Sequence, residues 1–226
     1  MCGRFTRHYT WQELHALYRL TLPTTPSNLP PRYNICPTTD IDVVVPHKGE
    51  HQLLSMRWGL VPSWWKKSLR ELPATFNARA ETIAEKPMFR DAFKRGRCLI
   101  PASGYYEWLN TPDGKQPFYF TRCDGQLMTI AGLYADWSNP ADGSTVKSAT
   151  MVIGRANEFV SKLHDRMPIV LEQDEFAAWE HGGVKLAESL LQPRKENVLQ
   201  AWPVSRRVNG SKADEFDPSL IERVAA

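Results

Sequence analysis

The sequence contains no run of apolar residues approaching the roughly 20 that a membrane span requires, and no signal-peptide-like apolar segment follows its first residues. A soluble, intracellular, cytoplasmic protein is therefore expected. A Cys-x-x-Cys pair is also missing: the four cysteines, Cys2, Cys36, Cys98 and Cys123, are scattered through 226 residues. That scatter excludes a disulfide scaffold, argues against a structural zinc site and fits a reducing compartment. Neither sign of charge dominates. Lys and Arg total 28 against 25 Asp and Glu, so the formal net charge is +3 and the pI about 8.7, which permits contact with a polyanion without demanding it. No internal repeat or clear linker divides the chain. Residues 1–226 are expected to form a single domain, with 42% apolar residues to fill one core.

What is present begins with a capping box, Thr10 and Glu13, ahead of Trp11, Leu14, Leu17 and Tyr18 at helical spacing. The stretch TLPTTPSNLPPRYN is rich in proline and polar residues and reads as an irregular excursion. IDVVV, QLLSMRWG, CLIP, GYYEWL, PFYFT, LMTIAGLY and SATMVIG read as strands. GYYEWL and PFYFT flank TPDGKQ, whose Pro-Asp-Gly run suits a tight reversal, so they are expected to pair as a hairpin. Helical patterns recur at MFRDAFKRG, ANEFVSKLH, DEFAAWE and VKLAESLLQ. Grouped strands with helices outside them point to an α+β fold rather than a repeating βαβ sheet.

Five stretches combine reactive residues with structural punctuation: MCGRF, RWGLVPSWW, FNARAET, GYYEW and LHDRMP. Loss of Met1 would leave Cys2 with a free α-amine beside its thiol. The unperturbed pKa values, roughly 7.7 to 8.0 and 8.5, leave both nucleophiles partly available near neutrality. An aldehyde meeting that pair forms an imine, which sulfur closes into a five-membered thiazolidine. An incidental cysteine at the second position is the plainer alternative. Glu107, among Tyr105, Tyr106 and Trp108, is either a buried carboxyl with a raised pKa suited to acid/base work or a strand residue facing water. His164 lies at a helix end beside Asp165 and Arg166, where it relays protons, binds phosphate or is simply structural. Asn77 and Arg79 share a face if their segment is extended. His47 and His51 are four apart, but Pro46 and Gly49 favour a loop there, and no metal site is expected. Trp58, Trp64 and Trp65 beside Lys66, Lys67 and Arg70 match a surface that stacks unpaired bases and holds their phosphates, or else core tryptophans beside a solvated loop.

Taken in order, MCGRF, RYNICPT, RWGLVPSWW, FNARAET, KRGRCLIP, GYYEW, LHDRMP and WPVSRRVN resemble the SRAP family, the SOS response-associated peptidase or abasic-site processing proteins. The collinear match runs over nearly the whole chain. The resemblance implies a mainly antiparallel, barrel-like β core with peripheral helices and a basic cleft for single-stranded DNA and single-strand/double-strand junctions. It implies a monomer without cofactor or metal, nucleoid-associated when bound to DNA. Met1 is then removed, by the protein itself or by an aminopeptidase, and Cys2 crosslinks to the abasic site. In that light Asn77 positions the sugar and the Cys2 amine, Glu107 is the acid/base, and His164 assists proton transfer. Arg4, Arg79 and Arg166 contact phosphates, Trp64 and Trp65 stack on or wedge the bases, and Pro37 lines the site. Two departures stand out. Cys36 replaces a common alanine, and Lys86 and Arg90 are both candidates for one DNA contact.

Three other functions fit parts of the sequence. An N-terminal-nucleophile amidohydrolase also begins Met-Cys-Gly, but the likeness stops after three residues. A non-catalytic single-stranded DNA binding module would make Cys2 incidental and predicts salt-sensitive binding indifferent to abasic sites. A peptidase acting on other proteins is suggested by the family name, which self-processing explains better.

Overall fold

The computed structural model describes residues 2–21, 29–193 and 198–225. In chain order these form β1 (Phe5–Arg7), α1 (Trp11–Tyr18), β2 (Arg32–Ile35), β3 (Asp40–His47), β4 (Glu50–Trp58) and β5 (Asn77–Arg79). There follow α2 (Arg90–Arg95), β6 (Arg97–Ala102), β7 (Gly104–Thr111), β8 (Gly114–Arg122), β9 (Met128–Ser138) and β10 (Thr145–Arg155). The chain closes with α3 (Glu158–Ser161), β11 (Arg166–Pro168), β12 (Val170–Leu171), α4 (Phe176–His181), α5 (Val184–Ser189) and β13 (Leu199–Pro203).

Strands β10, β4, β3, β6 and β9 pair in that order, and β9 pairs back onto β10, closing a five-stranded barrel. Every seam is antiparallel except β4–β10, where Arg57 and Trp58 lie beside Ser148 and Ala149 in parallel register. The α+β, barrel-like expectation holds. Side-chain alternation explains the closure. Ile41, Val43 and Val45 of β3, Cys98 and Ile100 of β6, and Met151 and Ile153 of β10 belong to one buried cluster, while the intervening Val44, Leu99 and Val152 belong to another. A period of two thus divides each strand between the barrel interior and an outer layer. The outer layer is covered by helices, through Leu14 and Tyr18 of α1, Phe93 of α2, and Phe176 and Trp179 of α4. The interior is closed by a second, antiparallel sheet ordered β13-β8-β7-β1-β2, whose Phe5, Ile35, Tyr105 and Phe120 join the barrel's own cluster.

Several local expectations are met. Thr10 Oγ1 accepts from the Glu13 amide at 3.2 Å and Glu13 Oε2 accepts from the Thr10 amide at 2.6 Å, completing the capping box. The β7–β8 hairpin turns through Pro112 and Asp113, with Thr111 paired to Gly114 at φ +105°. Others are revised. Much of the proline-rich excursion, residues 22–28, lies outside the described residues, while its end, Arg32–Ile35, is strand β2 because β1 supplies a partner. The ANEFVSKLH pattern yields a single helical turn, capped by Asn157 Oδ1 accepting from the Val160 amide at 2.9 Å.

Gly104 opens β7 opposite Thr6 of β1, close against β8. A Cβ there would fall well inside contact distance of the Tyr119 ring and close to the Phe120 carbonyl. Gly104→Ala is expected to destabilise the protein by roughly 1 to 3 kcal/mol through overpacking. A urea titration checks this, and an unchanged midpoint at equal slope would contradict it.

Candidate active site

Pairing of β1 between β2 and β7 carries the start of the chain into the core. The Tyr106 amide donates to the Arg4 carbonyl at 3.0 Å, and Phe5 packs edge-on against Trp58 with ring centroids 5.1 Å apart. Trp58 is therefore core, wholly buried, as its strand pattern allowed. Cys2, three residues before Phe5, is only 2% exposed. Asn77 on β5 donates from Nδ2 to the Cys2 carbonyl at 2.9 Å, while its Oδ1 is buried with no hydrogen-bond partner among the described residues. That oxygen is an acceptor placed beside the Cys2 backbone.

Alternation along β7 decides between the two readings of Glu107. Tyr106 and Trp108 pack with Val204 and Val208 on one face, whereas Tyr105 faces the cluster containing Cys2. Glu107 shares the Tyr105 face and is 1% exposed. Burial pushes its carboxyl pKa up, and a hydrogen bond with the Cys2 thiol and the nearby His164 pull only partly against this. The Cys2 thiol is likewise raised, first by burial and then by the charge and hydrogen bond of Glu107. His164 Nε2 lies 3.6 Å from Glu107 Oε2. Its Nδ1 accepts from the Arg166 amide at 3.0 Å and lies 3.3 Å from Asp165 Oδ1, which leaves Nε2 on the side of the Glu107 carboxyl. The Nε2–Oε2 separation exceeds a formed hydrogen bond, and such contacts commonly tighten when substrate binds.

The four residues Cys2, Asn77, Glu107 and His164 thus meet in one place. The basic residues surround them unevenly. Arg79 lies opposite Ile153 and Arg166 opposite Arg155, so both flank the end of β10. Arg79 is exposed, and Arg166 is ion-paired to Glu81, which also lies 3.9 Å from Arg155. Arg4 Nη1 donates to Asn34 Oδ1 at 2.7 Å and to the Val208 carbonyl at 2.6 Å, and Nη2 reaches the Asn209 carbonyl at 3.4 Å. Asn34, Val208 and Asn209 are positioning residues that sequence reasoning missed. RYNICPT and WPVSRRVN contain them, but nothing in either stretch announces a contact across 204 positions.

Trp64 is 42% exposed, whereas Trp65 is half-buried, its indole donating to the Ser68 carbonyl at 3.2 Å and its carbonyl accepting from Trp137 at 2.7 Å. Trp137 pairs with Val146, five residues before Met151, the partner of Asn77. At about 3.3 Å per residue the tryptophan pair is held on the order of 16 Å along β10 from the Asn77 level, outside the pocket. Pro37 and Cys36 are half-buried at the turn after β2, and Lys86 and Arg90 are exposed near α2. His51 donates from Nδ1 to the Tyr18 carbonyl at 2.6 Å and pairs with Glu180 at 2.8 Å, remote from this site.

The closed barrel and the sheet that covers it thus bring a cysteine near the start of the chain together with a buried acid, an amide and an imidazole. The comparisons make this particular. Residues 1–211 match the model of the SOS response associated peptidase (SRAP) family, and the chain belongs to that family. It is 33% identical over 226 residues to the abasic site processing protein YoqW of Bacillus subtilis, covering 98% of this chain and 99% of that one. It is 32% identical over 222 residues to YedK of Escherichia coli, also named an abasic site processing protein, covering 94% of this chain and 96% of that one. A crystal structure of a Bacteroides thetaiotaomicron protein superposes with a TM-score of 0.88 at 24% identity, covering 99% of this chain and all of that one, which shows the shared fold.

Raised by burial, the Glu107 pKa makes stability depend on pH. As pH rises above the unfolded value of about 4.3, the unfolded chain releases this proton first, so the folded state loses stability until the folded pKa is passed. Glu107→Gln removes that loss. The variant should melt higher than wild type at pH 7.5, with a smaller difference at pH 4; thermal melts at both values check the sign.

Proposed function

We propose that this chain processes abasic sites in DNA by forming a covalent bond through Cys2. The observation that carries the reading is the convergence of Asn77, Glu107 and His164 on a cysteine whose nitrogen becomes a free amine once Met1 is lost. The names of the curated relatives support the abasic substrate. While Met1 remains, the Cys2 nitrogen is an amide and the site is a precursor.

An abasic deoxyribose is mostly a closed hemiacetal, and opening it moves a proton from the C1′ hydroxyl to the ring oxygen. Glu107, protonated at neutral pH more readily than an exposed carboxyl, suits that transfer, and His164 can exchange protons with it. The freed amine then adds to the C1′ aldehyde, water is expelled, and the resulting imine is captured by the thiol, whose proton passes to nitrogen as the thiazolidine closes. The Asn77 Oδ1 accepts a hydrogen bond from the amine and so orients it. The raised thiol pKa favours this order, amine first and sulfur second, over the thiol-first attack of an amidohydrolase. The imine is also liable to β-elimination with strand cleavage, so lyase activity and a stable adduct share one intermediate. Arg79, Arg166 and Arg4 hold the phosphates of single-stranded DNA, with Arg166 exchanging Glu81 for phosphate. Trp64 stacks at the strand's exit or at a duplex junction. The protein acts as a cytoplasmic monomer, and any peptidase activity is confined to removal of its own Met1.

Intact mass before and after mixing with a single-stranded oligonucleotide bearing one abasic site tests the reading. Wild type lacking Met1 should gain the mass of the DNA less one water in a denaturation-resistant adduct. Cys2→Ala should give none, and neither should an oligonucleotide with the abasic aldehyde reduced. Absence of the wild-type adduct would falsify the proposal.

A further inference from the structure

The pocket holds a fifth polar group. Tyr105 is 1% exposed, and its hydroxyl oxygen is buried without a hydrogen-bond partner among the described residues. The ring is fixed on both sides: it stacks on Phe120 with centroids 4.9 Å apart and planes 9° from parallel, and it lies opposite Phe5 in the β1–β7 register. Two residues before Glu107 on β7, it shares that residue's face, in the cluster that contains Cys2. The thiol of Cys2 and the carboxyl of Glu107 both act electrostatically on the phenol, adding to burial in raising its pKa. The phenol therefore stays protonated as a hydrogen-bond donor.

The fold gains nothing from this oxygen. A phenylalanine would stack on Phe120 equally well and strand no polar atom, because a buried hydroxyl without a partner forfeits its hydration for nothing in return. An unsatisfied donor in the same buried cluster as Cys2, on the Glu107 face of β7, is instead matched to a substrate oxygen.

We propose that Tyr105 is a further catalytic residue, donating a hydrogen bond to the oxygen on C1′ of the ring-opened sugar. The inference rests on the abasic-site reading given above. That oxygen is the carbonyl of the aldehyde. As the Cys2 nitrogen bonds to C1′, the C=O pair of electrons moves onto it and it takes a proton to become the carbinolamine hydroxyl. A second proton makes it leave as water while the nitrogen lone pair forms the imine. Glu107 delivers these two protons, and the two that nitrogen loses, one as the carbinolamine forms and one as the imine forms, return to the carboxylate. The phenol keeps its own proton throughout and stabilises the charge that develops on oxygen.

The test compares wild type with Tyr105→Phe, both lacking Met1, in single-turnover crosslinking to an abasic oligonucleotide. The variant should crosslink about tenfold more slowly, bind an intact oligonucleotide with unchanged affinity, and melt at the same or a higher temperature. A crosslinking rate within twofold of wild type overturns the assignment. If Tyr105→Phe melts lower, 3-fluorotyrosine at position 105 decides: its more acidic phenol is a stronger donor and should raise the rate, and an unchanged or lower rate overturns the assignment. A wild-type protein that forms no adduct overturns the underlying reading instead, so the two failures are told apart.

Discussion

Chain termini fray because few contacts oppose their conformational entropy. Here the second residue lies inside the core, and much of the molecule is arranged to keep it there. Strand β1 has only three residues, too few to hold itself, and gains its order from β2 and β7 on either side. Asn77 reaches from the barrel to the Cys2 carbonyl, and Arg4 is tied to the far end of the chain. The closed barrel supplies a rigid wall, since each of its five strands is paired on both sides. Without that wall Asn77, on a three-residue strand paired with β10, would have no fixed position.

The pocket runs against the preferences of the core that surrounds it. A carboxyl, a phenol and a thiol are packed together, and burial pushes the pKa of each upward. All three are thereby biased toward their neutral, proton-bearing forms. Such a site suits chemistry in which protons are lent and returned, with little standing charge. The charged groups are kept at the margin, where Glu81 lies between Arg166 and Arg155. Polar and ionic duties are separated by depth.

Much of the architecture was legible because it follows from local rules. The capping box of α1, the Pro-Asp-Gly reversal and the alternation of IDVVV each act within a few residues. The short strands β1, β5 and β11 were not legible as strands, because three residues carry no periodicity and their state is set by a partner distant in sequence. Motif order pointed to Cys2, Asn77, Glu107 and His164, yet spacing alone left Glu107 balanced between core and solvent until the β7 register fixed its face. Tyr105 looked like apolar packing around Glu107. Its role depends on lacking a hydrogen-bond partner, which no sequence records.

Arg4 donates to the carbonyl of Val208, so the first and last parts of the chain complete one another. Ribosomes add about 5–20 residues per second, so roughly 10 to 40 s separate the synthesis of these two residues. Through that interval Arg4 lacks the carbonyl that fixes it, and the surroundings of Cys2 are unfinished. The beginning of the chain thus takes its final setting only after almost all of the rest has been made, and the length of the chain sets that delay.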